Sequence, residues 1–154
     1  MKKLNDFGIN IQSNTFIIAE IGINHNGNID QAKKLIDSAS KTGCDAVKFQ
    51  TYITEKRAPK GNDEVFNILK KCELPFEAFL ELKKYSEEKN LIFFSTPFDN
   101  ESVDYLESID VSMYKIASFD VSNESFLKKI SLTKKPLILS VGMANLDEVN
   151  RACE

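Results

Sequence analysis

FIIAEIGINHNG, Phe16–Gly27, decides between two folds. An apolar run from Phe16 closes on Glu20 and reads as a first strand, with GINHNGN (22–28) as the turn after it. An open doubly wound sheet that binds a dinucleotide carries a GxGxxG turn after its first strand, where the backbone meets the pyrophosphate. GINHNGN lacks that pattern. A (β/α) barrel instead collects reactive side chains at the carboxyl ends of its strands, and Glu20 stands at such an end.

The arrangement recurs four more times. Strand two reads as Asp45–Gln50, carrying Lys48 and Gln50. Strand three is Leu91–Ser95, with Thr96 next in LIFFSTPFD. Strand four, Met113–Ala117, holds Lys115 and runs into Ser118; strand five, Leu137–Ser140, opens after Pro136, with Gly142 just beyond. Helical spacing fills the gaps. Asn28 offers a cap for a helix with Ala32, Leu35, Ile36 and Ala39 on one face. Thr51–Asp63 reads as a polar insertion, and helical spacing returns at Val65, Phe66 and Leu69. A helix after Pro75 turns Phe76, Phe79, Leu80 and Leu82 inward. Two more carry Val103, Leu106 and Ile109, then Phe126, Leu127 and Ile130, and a last pattern starts at Asn145. A closed barrel takes eight units over about 250 residues. The expected fold is therefore α/β, a TIM (β/α)8-type barrel, with residues 1–154 supplying its first five strand–helix units.

Composition narrows the function classes. The chain has 154 residues, 42% of them hydrophobic, enough for one core. A net charge of −3 gives no basic excess for nucleic acid. No run approaches the ~20 apolar residues of a membrane helix, and the N-terminus lacks the apolar core of a signal peptide. Cys44, Cys72 and Cys153 are odd in number and show no CxxC spacing, which argues against a disulfide framework or zinc site and fits a reducing cytoplasm. Cys44 reads as a small core residue at the start of strand two.

Alternation puts Ala46, Lys48 and Gln50 on one face of strand two and Asp45, Val47 and Phe49 on the other; Met113, Lys115 and Ala117 share a face of strand four. A lysine inside an apolar strand needs an anion to meet. A bound phosphate or carboxylate would serve, as would an ion pair with Glu20; a Schiff-base lysine is the third reading. Thr96, Ser118 and Ser140 beside such lysines make a phosphate cradle, with the backbone amide near Gly142. Glu20 at a barrel mouth can act as general base or bind sugar hydroxyls. His25, the only histidine, reads as a hydrogen-bonding strut in a turn shaped by Asn24 and Asn26. With no second histidine, no two-His metal site can form within the chain.

AEIGINHNG, VKFQ, STPFD, YKIAS and LSVGM, in this order and spacing, resemble the N-terminal barrel of the sialic acid synthases, a group that includes N-acetylneuraminate, legionaminate and pseudaminate synthases. The resemblance implies condensation of phosphoenolpyruvate with an N-acetylated amino sugar, N-acetylmannosamine or a related diacetamido sugar, in its open aldehyde form. It implies phosphoenolpyruvate contacts from Lys48, Thr96, Lys115, Ser118, Ser140 and the backbone near Gly142. Glu20 matches a strand-one acid that touches the sugar and handles protons, Gln50 a residue beside the reacting centre, and Asn62 a sugar-contacting residue. Asp120 stands where the family commonly has Glu.

The resemblance further implies a divalent cation, manganese or magnesium, held by two histidines on later strands that this chain does not contain. The second half of the barrel and the antifreeze-like domain, which lends an arginine across a homodimer, are likewise missing. The 154-residue chain alone is expected to have no synthase activity. IASFD resembles the pseudaminate type, whereas the GND loop and KKCEL resemble the sialic and legionaminic type, so the sugar stays open. Two other functions compete: a Schiff-base aldolase on Lys48 or Lys115, and a non-catalytic relic or binding subunit of the same fold.

Overall fold

The computed structural model describes residues 3–10, 15–58, 61 and 63–154. Five parallel strands form one sheet in the order β1 (Ile18–Gly22), β2 (Ala46–Thr51), β3 (Ile92–Pro97), β4 (Tyr114–Ile116) and β5 (Leu137–Leu139). Spatial order follows chain order. A doubly wound sheet reverses direction at a switch point; this one never does, as expected for an arc of a barrel.

Helices cover one face only. α1 (Ile29–Lys41), α4 (Phe76–Glu88), α5 (Asn100–Ser108) and α6 (Glu124–Ser131) pack their buried residues with Val47, Phe49, Phe93, Tyr114 and Ile116 in a single core. The short α2 (Thr54–Arg57) and α3 (Asp63–Cys72) fill the connection after β2, and α7 (Leu146–Cys153) follows β5 with no buried residue. Side chains from Asn28, Asp99, Asn123 and Asn145 cap α1, α5, α6 and α7, each accepting from a first-turn backbone N–H.

The other face is layered. Ala46, Phe94 and Met113 form an apolar floor, packed by Ile18, Ile92 and Ile138 and closed below by Phe7 and Ile9 beside a 3-10 helix at Leu4–Phe7. Above that floor, the same face carries Glu20, Lys48, Gln50, Thr96 and Lys115. The alternation predicted for β2 and β4 holds.

Several boundaries move. β1 runs Ile18–Gly22, not Phe16–Glu20, because the Ile17 N–H is taken at 2.6 Å by the Asp45 carboxylate rather than by the ladder. β2 and β3 start one residue later and reach Thr51 and Pro97. β4 is shorter than Met113–Ala117, and β5 stops at Leu139, although the Ser140 N–H still donates to the Ile116 carbonyl at 3.1 Å. Cys44 is half-buried in the loop before β2, against the core edge. Leu80, expected inward, is exposed, since α4 buries Ala78, Phe79, Leu82 and Ser86, and Leu80 lies a quarter-turn off that stripe.

The turn after β1 is fixed by its own residues. Asn26 takes φ +52°, a left-handed position that asparagine tolerates. Gly27 follows at φ +72°, and a Cβ there would collide with the Lys71 carbonyl oxygen, so only glycine lets α3 close on the turn. His25 is fully buried; its Nδ1 accepts from the Gly27 N–H at 3.1 Å and its ring stacks on Phe49. It is the strut the sequence predicts, on the helix side of the sheet.

Candidate active site

Register brings the polar layer together. Glu20 on β1 lies beside Lys48 on β2, and Gln50 beside Thr96 on β3. Lys48 Nζ sits 2.7 Å from Glu20 Oε2 and donates to Thr96 Oγ1 at 3.2 Å. Lys48 is only 5% exposed, whereas the Glu20 side chain is 63% exposed, so solvent weakens the carboxylate's hold. The ion pair with Glu20, left open from the sequence, is therefore present.

Lys115 on β4 has a different environment. Its Nζ donates to the Ile116 carbonyl at 2.6 Å, and no ion pair reaches it among the described residues. Burial lowers its basicity, the neighbouring Lys48 charge lowers it further, and Glu20 opposes both. Two lysines thus stand near a single, largely solvated carboxylate that pairs only with Lys48. The surplus positive charge, walled by low-dielectric strands, is what an anion would neutralise.

A second cluster lies beside the first. Gln50 Oε1 accepts from an Arg57 guanidinium nitrogen at 2.9 Å. Arg57, at the end of α2, stacks over the rings of Tyr52 (4.6 Å to the centroid) and Phe98 (3.8 Å). Asp120, in a 3-10 turn at Ser118–Asp120 after β4, is buried, and its Oδ2 has no hydrogen-bond partner among the described residues. Burial raises its pKa above the usual carboxylate range; a hydrogen bond with Asn123 and the charge of Arg57 pull the other way.

The remaining predicted residues are more loosely placed. Ser118 and Ser140 are half-buried at the ends of β4 and β5, and Gly142 lies exposed in the following loop, where a Cβ would meet nothing within 4 Å. Asn62 falls outside the described residues. Sequence reasoning missed Arg57, Tyr52 and Phe98; the signal available was an arginine and a tyrosine in the segment directly after a reactive strand. Asp99 of STPFD has a structural role. Its carboxylate accepts from the N–H groups of Ile53 and Ser102, both at 2.8 Å, tying the loop after β2 to α5. Among the described residues, no three His, Cys, Asp or Glu side chains converge to hold a metal ion.

The NeuB family profile matches residues 35–154. The chain belongs to the NeuB family. It is 43% identical over 151 residues to the N,N'-diacetyllegionaminic acid synthase of Campylobacter jejuni, covering 90% of this chain and 45% of that protein. To the pseudaminic acid synthase of the same organism it is 32% identical over 158 residues, covering 94% of this chain and 46% of that one. Among solved structures, the N-acetylneuraminic acid synthetase of Leptospira borgpetersenii, in complex with citrate, superposes with a TM-score of 0.86 at 40% identity, over 90% of this chain and 48% of the other. This NeuB-family chain spans a little under half the length of these relatives. The barrel-type fold and the family inferred from the five strand-end motifs both stand.

Proposed function

We propose that this chain supplies the phosphoenolpyruvate half of a nonulosonic acid synthase site. The observation that carries the reading is the Lys48–Lys115 pair, two cations on the inner face of which only Lys48 meets a carboxylate, the exposed Glu20. Phosphoenolpyruvate presents a phosphate and a carboxylate, and two lysines with the hydroxyls of Thr96, Ser118 and Ser140 complement both groups. Held there, its C3 attacks the carbonyl carbon of an open-chain N-acetylated amino sugar. Water adds at C2, and the C2–O bond breaks to release inorganic phosphate. Fixed donors around the phosphate stabilise charge as it moves. Glu20, beside Lys48, takes up the proton lost by the water.

The family resemblance calls for manganese or magnesium. The described residues of this chain do not form a holder for such an ion. Asn62 and Asp120 are proposed sugar contacts, Gln50 faces the reacting carbonyl, and the full-length protein is proposed to act as a homodimer.

The lowered basicity of Lys115 favours a second reading, a Schiff-base aldolase with Lys115 as nucleophile. One experiment separates the two. The full-length product of the native gene is incubated with phosphoenolpyruvate and N-acetylmannosamine or a diacetamido sugar, with and without borohydride. Phosphate release that requires both substrates, without a borohydride-trapped adduct, is the expected result. An adduct on Lys115 without phosphate release would overturn it.

A further inference from the structure

Arg57 is set up unlike a surface arginine. It is half-buried, yet among the described residues it has no carboxylate within salt-bridge distance. Its hydrogen bond goes to a neutral amide, Gln50 Oε1. Two rings, 6.3 Å apart and inclined at 73° to each other, form a corner around the guanidinium, and both are themselves fixed. The Tyr52 hydroxyl donates to the Leu69 carbonyl at 2.9 Å, and Phe98 stacks on Phe119 at 5.8 Å. The fork therefore points in one direction.

That direction determines the chemistry of Gln50. Arginine has only donors, so the amide must turn its oxygen toward it; the flipped amide would set donor against donor. Gln50 Nε2 is then left on the side of Gly22 at the end of β1, where a Cβ added to Gly22 would lie 3.5 Å from it. This nitrogen has no partner among the described residues. It stands on the same inner face as Lys48, two residues along β2.

We propose that Arg57 is a positioning residue: seated in the corner formed by Tyr52 and Phe98, it holds Gln50 Oε1 so that the Gln50 amino group faces the mouth as a donor to the carbonyl-bearing acceptor substrate. The inference rests on the condensation reading above for its substrate, but the clamp itself does not. Arg57 touches no reacting atom; it acts through Gln50.

Two measurements test it. The chain contains three glutamines, at 12, 31 and 50, so selective 15N-glutamine labelling resolves the Gln50 side-chain amide, assigned by its loss in Gln50→Ala. The Gln50 pair should stand apart from free-glutamine shifts and collapse toward them in Arg57→Ala. An unchanged pair would overturn the clamp. In the full-length gene product, Arg57→Ala should lower kcat/KM for the sugar roughly 10- to 100-fold, the scale of a misplaced catalytic contact, with KM for phosphoenolpyruvate unchanged and no further loss in the Gln50→Ala background. Arg57→Lys, which keeps charge but loses the planar fork, guards against misfolding of the alanine variant and should show the same loss. Full activity in Arg57→Lys, or additive losses in the double variant, would overturn the positioning role. Absence of turnover in the wild type would remove the condensation reading alone, since the clamp is judged by the amide signals.

Discussion

The two faces of the sheet follow different rules. Toward the helices, the strands present mainly apolar side chains, with the buried Thr51 and Ser95 hydroxyls paired at 2.8 Å near the ends of β2 and β3, and the core runs from Ala32 to Ile130. Toward the barrel axis, β1, β2 and β3 start apolar and end polar, from Ile18 to Glu20, Ala46 to Lys48 and Phe94 to Thr96. The outer face can be chosen for packing alone. The inner face needs a floor to keep water from the strand bases and a charged layer above it, and that layer is unfavourable until something anionic fills it. Stability and function are therefore separable by face.

The largest expected effect breaks the outer face. Phe93 is 2% exposed and stacks on Phe49 at 5.3 Å. Phe93→Ala should cost about 3–5 kcal/mol of folding free energy, the usual range for deleting a buried aromatic. Calorimetric melting would read the loss, and a cost below about 1 kcal/mol would mean the core is not continuous there.

An inner-face change should do the reverse. Lys115→Ala removes one of two repelling cations, so the melting temperature should hold or rise slightly. Affinity for phosphoenolpyruvate, measured by titration calorimetry, should fall about 10- to 100-fold, the equivalent of losing a charge-assisted hydrogen bond of ~1.5–3 kcal/mol. A matching drop in stability would show that Lys115 is a structural member of the core and erase the contrast between the faces.

The sequence exposes this contrast unevenly. Period-two alternation marks Lys48 and Gln50 as sharing a face opposite Val47 and Phe49, because a strand leaves its side chains no other choice. The missing GxGxxG after the first strand points correctly away from a doubly wound sheet. Arg57 was not legible. It ends a four-residue helix, too short for periodicity, and its setting depends on Phe98, brought alongside only when β2 and β3 pair. Asp120 is marked in the sequence only by its place in the family resemblance, since nothing local signals that it becomes buried without a described partner for Oδ2. Leu80 shows the opposite failure. An apolar residue next to Phe79 invites an inward reading, but the helix carries it past the stripe.

The smallest expected effect concerns Asp120, where the mouth gives up stability. Burial raises its folded pKa above the unfolded value of 3.8. Between those two values the folded chain binds the proton that the unfolded chain has released, so stability falls as pH rises through that window. The contribution is fully present below 3.8 and lost above the folded pKa. Asp120→Asn, neutral at every pH, should lack this dependence. Its melting temperature relative to wild type should be highest near neutrality and converge toward the wild type on acidification. The sign matters more than the size, because an ion-paired aspartate predicts the opposite: a variant that is less stable at neutrality, with the gap closing in acid. That result would mean Arg57 neutralises Asp120 directly, leaving no reason for the guanidinium to hold Gln50 instead.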